Sequence, residues 1–174
     1  MKRQKSAAMT KSPRSLSEPV RFITDHNLGK LAKWLRFLGY DTLCHAGKTT
    51  KDLWNRAFAE HRVVLTRKKD LHYDKENIET ILITNDDWED QLGEVFSKLA
   101  LTIQEEHLLK RCSVCNHGLK KVDKGELGDQ VPSYILETHQ EFYFCEICKK
   151  VYWRGTHVEQ IEKILRQRNP TDRP

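Results

Sequence analysis

The sequence of 174 residues contains no apolar run that approaches the roughly 18–20 residues a membrane-spanning helix needs. Its start, MKRQKSAAMTKSPRSLSEP, has the basic head of an export signal but lacks the apolar stretch that would follow one. We therefore expect a cytoplasmic protein without a membrane partner and without disulfide bonds. Residues 1–18 offer almost nothing to bury, so we interpret them as a disordered basic tail.

The sequence also lacks a broadly distributed excess of positive charge. Its net charge is +5, but residues 1–18 alone hold five Lys and Arg against one acid. The pI of about 8.9 therefore owes most to that tail. A nucleic-acid-binding tail and a merely solvated one both fit, so the net charge does not identify a partner.

Between residues 19 and 105 the sequence alternates strand-like and helix-like segments with short connections. The predicted strands are 20–24, 41–45, 63–66 and 80–84. The predicted helices are 27–39, 49–61, a short one around 70–77, and 86–99. Repeated strand–helix–strand units predict an α/β fold with a mostly parallel sheet and helices on both of its faces.

The first predicted helix carries an apolar stripe with the spacing of a buried face: Leu28, Leu31, Leu35 and Leu38. Lys30, Lys33 and Arg36 recur every three residues on another face. These three cations would either contact phosphates or form a solvated surface.

After about residue 105 cysteine pairs replace the alternation. CSVC at 112–115 and CEIC at 145–148 supply two knuckles, which is what a tetrahedral site with four cysteine ligands needs. We predict a structural Zn²⁺ held by Cys112, Cys115, Cys145 and Cys148 in a zinc ribbon at 106–160, followed by a tail at 161–174. A pair of disulfides or four ordinary buried cysteines is the alternative. Cys44 falls in a predicted strand and is expected to be a small core residue.

Aromatic and basic residues alternate around the second knuckle, in EFYFCEICKKVYWRG. Exposed rings among Lys149, Lys150 and Arg154 would stack bases and hold phosphates. A module this small also needs a hydrophobic core, and the aromatic residues between 142 and 153 would then be buried in it. Both interpretations stay open.

Acidic side chains follow the predicted strands or begin the helices after them: Asp25, Asp52, Asp70, Asp86 and Asp87. The carboxyl ends of parallel strands share one edge of a sheet. Clustered carboxylates there would hold a divalent cation, Mg²⁺ or Mn²⁺, which suits phosphodiester hydrolysis. Helix capping is the plainer interpretation for Asp52, three residues after Thr49, and for Asp86 or Asp87.

The segments DHNLGKLAKWLRFLGYDTL, VVLTR, a DD pair before a helix, CSVC, VP, CEIC and VYWRGTH occur in the order of one known family. Over about residues 20–160 the sequence resembles the Mut-seven C-terminal RNase domain family. The resemblance implies a PIN-like three-layer nuclease fold followed by a zinc ribbon, which binds Mg²⁺ or Mn²⁺ and cuts single-stranded RNA. By position it implies Asp25 as the first metal ligand, Asp52 at a further acidic position, and Asp86 and Asp87 as the acidic pair. Asp41 matches the GYD element, where structure and site are both open roles.

One position departs from this family. Members usually follow LTR with an acid that helps to hold the metal, whereas this sequence has Lys68. A protonated lysine cannot ligate a divalent ion, and its charge competes with the metal for carboxylates. We expect Lys68 to contact a phosphate or to pair with Asp25. Asp70, two residues later, is the acid left to reach the site.

Three functions follow from the sequence. The first is a divalent-metal-dependent ribonuclease, endonucleolytic, in which Asp25 and Asp86 hold Mg²⁺ or Mn²⁺. Its phosphate contacts would be Lys30, Lys33, Arg36, Arg67 and Lys68. The second is an RNA-binding protein without catalysis on the same scaffold, with Lys68 in place of the metal. The third is a module that docks a protein partner through the zinc ribbon.

Overall fold

The structure is a computed structural model that describes residues 20–46, 49–69, 78–155, 159–161 and 163. The predicted tail at 1–18, the short helix around 70–77 with Asp70, and the predicted tail at 161–174 apart from Ile161 and Lys163 lie outside these residues. Among the helices of the described ranges, none combines the length and the apolar character needed to cross a membrane.

Four parallel strands form the first sheet. They are β1 (Arg21–Thr24), β2 (Asp41–Cys44), β3 (Val63–Thr66) and β4 (Thr80–Leu82). The helices that follow β1, β2 and β4 are α1 (Gly29–Phe37), α2 (Thr50–Ala59) and α3 (Trp88–Leu99). The strand order is β2-β1-β3-β4, and every pairing is parallel. The predicted α/β fold with a parallel sheet is confirmed, and the carboxyl ends of these strands lie at one edge.

Helices cover both faces of this sheet. Phe22 and Ile23 are neighbours in β1 and are both fully buried, but they belong to different apolar clusters. Successive side chains of a strand point to opposite faces. Phe22 therefore packs with α1 and α3, while Ile23 packs with Leu53 and Trp54 of α2. The result is three layers: helix, sheet and helix.

Helix α1 forms where the apolar stripe predicts it. Leu28, Leu31 and Leu35 are fully buried. The chain turns after the helix at Gly39, whose φ of +92° is a conformation that favours glycine. A Cβ at this position would lie 2.1 Å from the backbone oxygen of His107. Glycine is therefore required both for the turn and for the passage of the chain past residue 107.

The second sheet is small and antiparallel. It contains β5 (Lys120–Val122), β6 (Phe142–Cys145) and β7 (Lys150–Trp153), in the order β5-β6-β7. Between β5 and β6 the chain makes two 3₁₀ turns and helix α4 (Ser133–Thr138). This excursion supplies most of a separate buried cluster: Leu127, Val131, Ile135 and Phe142. The long insertion between the two knuckles therefore builds the core of this part of the chain.

Arg36 of α1 joins the two sheets. It is 8% exposed, and its Nε donates to the backbone oxygen of Thr42 at 2.7 Å. Its Nη1 donates to the backbone oxygens of Ser113 at 3.3 Å and Val114 at 2.7 Å. Arginine keeps its charge in proteins, so these carbonyls compensate for the burial. The sequence predicts Arg36 as a phosphate contact, but the structure corrects this prediction: the buried guanidinium holds the first cysteine knuckle against α1.

Asp41 and Asn116 form a second link. Asn116 accepts a hydrogen bond from the N–H of Thr42 at 3.0 Å and donates one to Asp41 Oδ1 at 2.8 Å. Asp41 also pairs with Arg62 at 2.7 Å and with Arg111 at 3.3 Å. Asn116 has a φ of 68°, which asparagine adopts more readily than most residues. The aspartate of the GYD element therefore ties the start of β2 to the first knuckle.

We predict that Asp41→Asn lowers the free energy of unfolding by about 2 kcal/mol at neutral pH, because it removes one of the two carboxylates that pair with the buried Arg62 and leaves it only Glu60. Burial raises the pKa of Asp41, but hydrogen bonds from Arg62 and Asn116 outweigh it and hold the pKa below its usual value. Such a carboxyl stabilises the fold above its unfolded pKa and loses that contribution as the pH falls through its folded pKa. In urea unfolding, the gap between wild type and variant should therefore narrow below about pH 4.

Glu141→Gln is the matched control, because Glu141 makes an exposed ion pair with Lys121. It should leave the urea midpoint unchanged. An Asp41→Asn protein as stable as wild type at neutral pH would contradict the structural role of Asp41.

Candidate functional site

Asp25 lies at the carboxyl edge of the first sheet, directly after β1, and is only 4% exposed. Its Oδ1 accepts a hydrogen bond from the N–H of Asn27 at 3.0 Å. Its Oδ2 accepts from the hydroxyl of Thr66 at 2.9 Å and from the N–H of Arg67 at 3.3 Å. An ionised carboxylate offers about four acceptor positions, so these three donors leave about one. The carboxylate is held in one orientation beside the end of β3.

Asp86 and Asp87 follow β4 at the same edge, but their side chains contact different neighbours. The side chain of Asp86 is 90% exposed and forms an ion pair with the guanidinium of Arg67. Asp87 caps α3, since its Oδ1 accepts from the N–H of Glu89 at 2.8 Å. The capping interpretation therefore applies to Asp87, while Asp86 faces the edge of the sheet.

Arg67 lies between the two predicted metal ligands. Its backbone N–H contacts Asp25, and its guanidinium contacts Asp86. Strand β3 separates β1 from β4, so the ends of β1 and β4 are two strand spacings apart, about 9.5 Å. Asp25 and Asp86 therefore share one edge with a cation between them.

Asp52 and Lys68 make their observed hydrogen bonds with neighbouring residues of the chain, at the start of α2 and at the end of β3. The hydroxyl of Thr49 donates to Asp52 Oδ2 at 2.7 Å and accepts from the Asp52 N–H at 3.3 Å, which is a capping arrangement for α2. Lys68 is exposed, its N–H donates to the Thr66 hydroxyl at 3.1 Å, and no ion pair joins it to Asp25 within the described residues. Asp70 lies outside the described residues. The acidic ligand set stays a prediction.

Lys30 and Lys33 are exposed on α1 and lie over aromatic rings. The Nζ of Lys30 is 5.2 Å from the ring centroid of Trp88, and that of Lys33 is 5.9 Å from the centroid of Trp34. The two indole rings stack with their centroids 4.7 Å apart. Sequence reasoning misses both tryptophans, although Lys30 and Trp34 have the i, i+4 spacing of neighbours on a helix. The phosphate contacts of the two lysines stay predictions.

Glu94 of α3 is a second residue that sequence reasoning misses. It accepts hydrogen bonds from the N–H and hydroxyl of Thr84, at 3.1 and 3.2 Å, and from the side-chain amide of Asn85 at 3.0 Å. Burial raises the pKa of Glu94, but hydrogen bonds from Lys98, Thr84 and Asn85 outweigh it and lower the pKa. Glu94 thereby fixes the segment that leads to Asp86. The sequence does carry a signal for this role, since Glu94 is an acid about two turns into the helix that follows the TNDD stretch.

The four predicted cysteine ligands come together. The Sγ atoms of Cys112, Cys115, Cys145 and Cys148 all lie within 4.8 Å of one another. In the part of the chain that the structure describes, this is the one set of three or more ligand groups so close together. Cys44 lies in β2, outside the set. Four thiol groups in this arrangement could hold a metal ion such as zinc.

The electrostatics of the four thiol groups favour a cation. Burial raises the pKa of Cys112, but hydrogen bonds from the Tyr152 hydroxyl, 3.1 Å away, and from backbone N–H groups outweigh it and bring the pKa to about 6. A hydrogen bond with Cys115, together with burial, raises the pKa of Cys148 to about 12. Thiolates this close repel one another, so they cannot all ionise alone. A bound cation would relieve the repulsion and displace the remaining protons.

The aromatic residues of β6 and β7 contribute to the core of the second sheet. Phe142 is fully buried, and the ring of Trp153 packs against it with centroids 6.5 Å apart. Phe144 is half-buried, with the Nζ of Lys149 5.9 Å from its ring centroid. The faces of Phe144 and Trp153 that stay exposed leave the base-stacking interpretation open.

Comparison with known proteins decides the family. The family model of the Mut7-C RNAse domain matches residues 20–165, a range that includes both sheets, the acids of the carboxyl edge and the four cysteines. The chain belongs to the Mut7-C RNAse domain family. The resemblance found in the sequence is confirmed. No curated protein and no solved structure matches the chain.

Membership of the Mut7-C family indicates a nuclease-like function with RNA as the bound polymer. The match runs without a break through the parallel sheet and the cysteine knuckles. The contacts of Arg36 with Ser113 and of Asp41 with Asn116 are therefore internal to the Mut7-C region.

We predict that this Mut7-C chain binds one metal ion per molecule when it is loaded with Zn²⁺ or Co²⁺. Cys115→Ser should lose the ion, because it removes one of the four ligands. Elemental analysis and the thiolate-to-cobalt absorption band are the measurements. Binding displaces thiol protons, including that of Cys148, so the apparent affinity should fall as the pH falls, about tenfold per pH unit for each proton displaced.

Cys44→Ser is the matched control, because Cys44 is a cysteine outside the set. It should keep the metal content and the absorption band of wild type. Equal loss of metal in the two variants, or no metal in wild type, would contradict the assignment.

Proposed function

We propose that this protein is a divalent-metal-dependent ribonuclease with a PIN-like α/β domain, which hydrolyses single-stranded RNA endonucleolytically. The position of Asp25 and Asp86 at one sheet edge, in a chain of the Mut7-C RNAse family, carries the proposal. Arg67 between these acids and the exposed Lys30 nearby support it, because RNA phosphates need positive charge at the site.

The carboxylates suit Mg²⁺ or Mn²⁺. Oxygen atoms of carboxylates are the ligands that these hard cations prefer. Asp25 keeps about one acceptor position beyond its three protein donors, and Asp86 is exposed. We infer that Asp25 and Asp86 hold the ion, with Asp87 as a further carboxylate at the edge. A bound ion supplies an activated water molecule and stabilises negative charge on the phosphate oxygens.

Protein groups prepare the site for this ion. The Thr66 hydroxyl and the Arg67 N–H hold the Asp25 carboxylate in one orientation, so it needs little reorganisation on binding. With Asp86 as a ligand of the ion, the Arg67 guanidinium would be available as a bidentate donor to a phosphate. Lys68, exposed at the same strand end, adds a second phosphate contact.

We infer that the four cysteines hold a structural Zn²⁺. Four thiolates complete a tetrahedron and leave no position for water, so this ion supports the fold and takes no part in hydrolysis. Through Arg36 and Asn116 the knuckle is bonded to α1 and β2. Loss of the ion would therefore loosen the attachment of the second sheet.

Arg67 and Lys68 also favour a second candidate, an RNA-binding protein without catalysis. Both cations follow β3 in the middle of the carboxyl edge, and Arg67 already neutralises Asp86. In this candidate the basic residues replace the metal ion and bind the phosphates directly. RNA binding would then need no divalent metal.

We predict that zinc-loaded wild-type protein cuts a labelled single-stranded RNA into internal fragments when Mn²⁺ is added, and leaves it intact without Mn²⁺. Asp25→Asn should reduce the cutting rate by about 100-fold or more, because it removes a charged ligand of the ion. Asp123→Asn, an exposed acid of the second sheet's connecting segment, is the matched control and should cut at the wild-type rate.

Three outcomes would contradict this proposal or a part of it. Cutting by Asp25→Asn at the wild-type rate would mean that the hydrolytic site lies elsewhere. An inactive wild type that gains activity in Lys68→Asp would support the second candidate, in which the lysine occupies a metal position. A ladder shortened from one end would contradict endonucleolytic action.

A further inference from the structure

A cleft of about 540 Å³ opens between α1 and β7, where the two sheets meet. Its walls come from both parts of the chain: Lys33 of α1, Ser113 of the first knuckle, and Lys149, Lys150, Tyr152 and Trp153 around β7. The cleft depends on the bonds from Arg36 and Asn116, because these hold the first knuckle against α1 and β2.

Charge in the cleft is positive. Three of the lining residues are lysines, and none of the residues that line it in the described part of the chain is acidic. Lys33 and Lys149 are held over the rings of Trp34 and Phe144. Cations that converge without an acid raise the local potential and attract an anion. Lys33 lies on the α1 wall, and Lys149 and Lys150 lie on the β7 wall. A polymer that carries several negative charges can therefore contact both walls, whereas a single anion cannot.

Tyr152 and Trp153 both line the cleft at the edge strand β7, but they are consecutive residues, so their rings lie on opposite faces of the strand. The Tyr152 hydroxyl lies 3.1 Å from Cys112 Sγ, and the Ser113 hydroxyl donates to it at 3.4 Å. The Trp153 ring packs on Phe142. Both rings are half-buried, so their positions are set by the core while one part of each stays accessible. Fixed, partly exposed rings beside cations are the surface on which unpaired bases stack.

The cleft continues to the carboxyl edge along α1. Lys30 precedes Lys33 by about one helical turn and lies over Trp88, which directly follows Asp87. Trp34 stacks on Trp88. Cations and rings therefore run from the acidic edge to the cleft, and we call these four residues (Lys30, Lys33, Trp34 and Trp88) the α1 track.

We propose that the cleft binds a segment of single-stranded RNA that reaches it from the carboxyl edge along the α1 track. Lys33, Lys149 and Lys150 contact phosphates. Tyr152, on the same face of β7 as Lys150, offers a stacking face, with Trp153 on the other side of the strand. This inference rests on the proposed function, because it names where the same RNA lies beyond the acids. Unpaired RNA fits better than a duplex, since bases must leave their partners before they can stack on protein rings.

The test is binding of a fluorescein-labelled single-stranded RNA to zinc-loaded full-length protein, followed by anisotropy without added Mn²⁺ between about 50 and 200 mM KCl. Lys149→Gln/Lys150→Gln should weaken binding roughly tenfold. It should also reduce the slope of log affinity against log salt by about 1.4, because each lost phosphate contact on a single strand removes about 0.7. Lys33→Gln, on the opposite wall, should weaken binding severalfold.

Lys120→Gln/Lys121→Gln is the matched control for the double variant. It also removes two positive charges from the second sheet, but both lysines lie on β5, outside the cleft, in ion pairs with glutamates. Its affinity should change less than about twofold. Lys51→Gln on α2 is the control for Lys33→Gln. Metal content and thermal midpoints show that all variants are folded. Equal weakening by cleft variants and controls, or no RNA binding by wild type, would overturn the proposal.

Cleavage with Mn²⁺, measured on the same proteins, separates this inference from the proposed function. A wild type that cuts RNA, with equal affinities in the two double variants, would overturn the cleft and leave the ribonuclease standing. A protein that never cuts RNA, but loses RNA binding selectively in the cleft variants, would support the cleft and contradict the ribonuclease.

Discussion

The buried contact between the first cysteine knuckle and the parallel sheet is the constraint on which the rest of the molecule depends. The guanidinium of Arg36 donates hydrogen bonds to the backbone oxygens of Thr42, Ser113 and Val114. The side chain of Asn116 forms hydrogen bonds with both Thr42 and Asp41. Breaking either link would leave polar groups buried without partners, so the knuckle has one stable position. That position sets how β7 faces α1, and therefore sets the width and charge of the cleft.

A second constraint acts at the carboxyl edge. The parallel sheet brings Asp25 and Asp86 to the same side, where two carboxylates alone would repel each other. Arg67 relieves the repulsion, since its N–H bonds one acid and its guanidinium pairs with the other. A divalent ion would take over the same electrostatic role and free Arg67 for RNA. The balance between Arg67 and a metal ion is what distinguishes the two candidate functions.

Sequence reasoning reaches the parts of this structure that short-range patterns encode. Alternation predicts the parallel strands, and the CxxC spacing predicts the thiol set, because each depends on residues close together in the chain. It fails at Arg36, whose every-third-residue pattern shows only that it lies off the apolar stripe. The backbone oxygen of Ser113, to which the buried Arg36 donates a hydrogen bond, belongs to a residue 77 positions away in the chain. Asp41 is similar, since its partner Asn116, 75 residues away, is brought near only by the complete fold.

The central claim is that a divalent ion binds at the carboxyl edge, and paramagnetic broadening by Mn²⁺ tests it most directly. Small additions of Mn²⁺ to ¹⁵N-labelled, zinc-loaded protein would be followed in amide spectra, with Asp25→Asn beside wild type. The account predicts that the amides of Asn27, Arg67 and Asp86 broaden first in wild type and keep their intensity in the variant. Broadening centred away from this edge, or the same broadening in both proteins, would contradict the account.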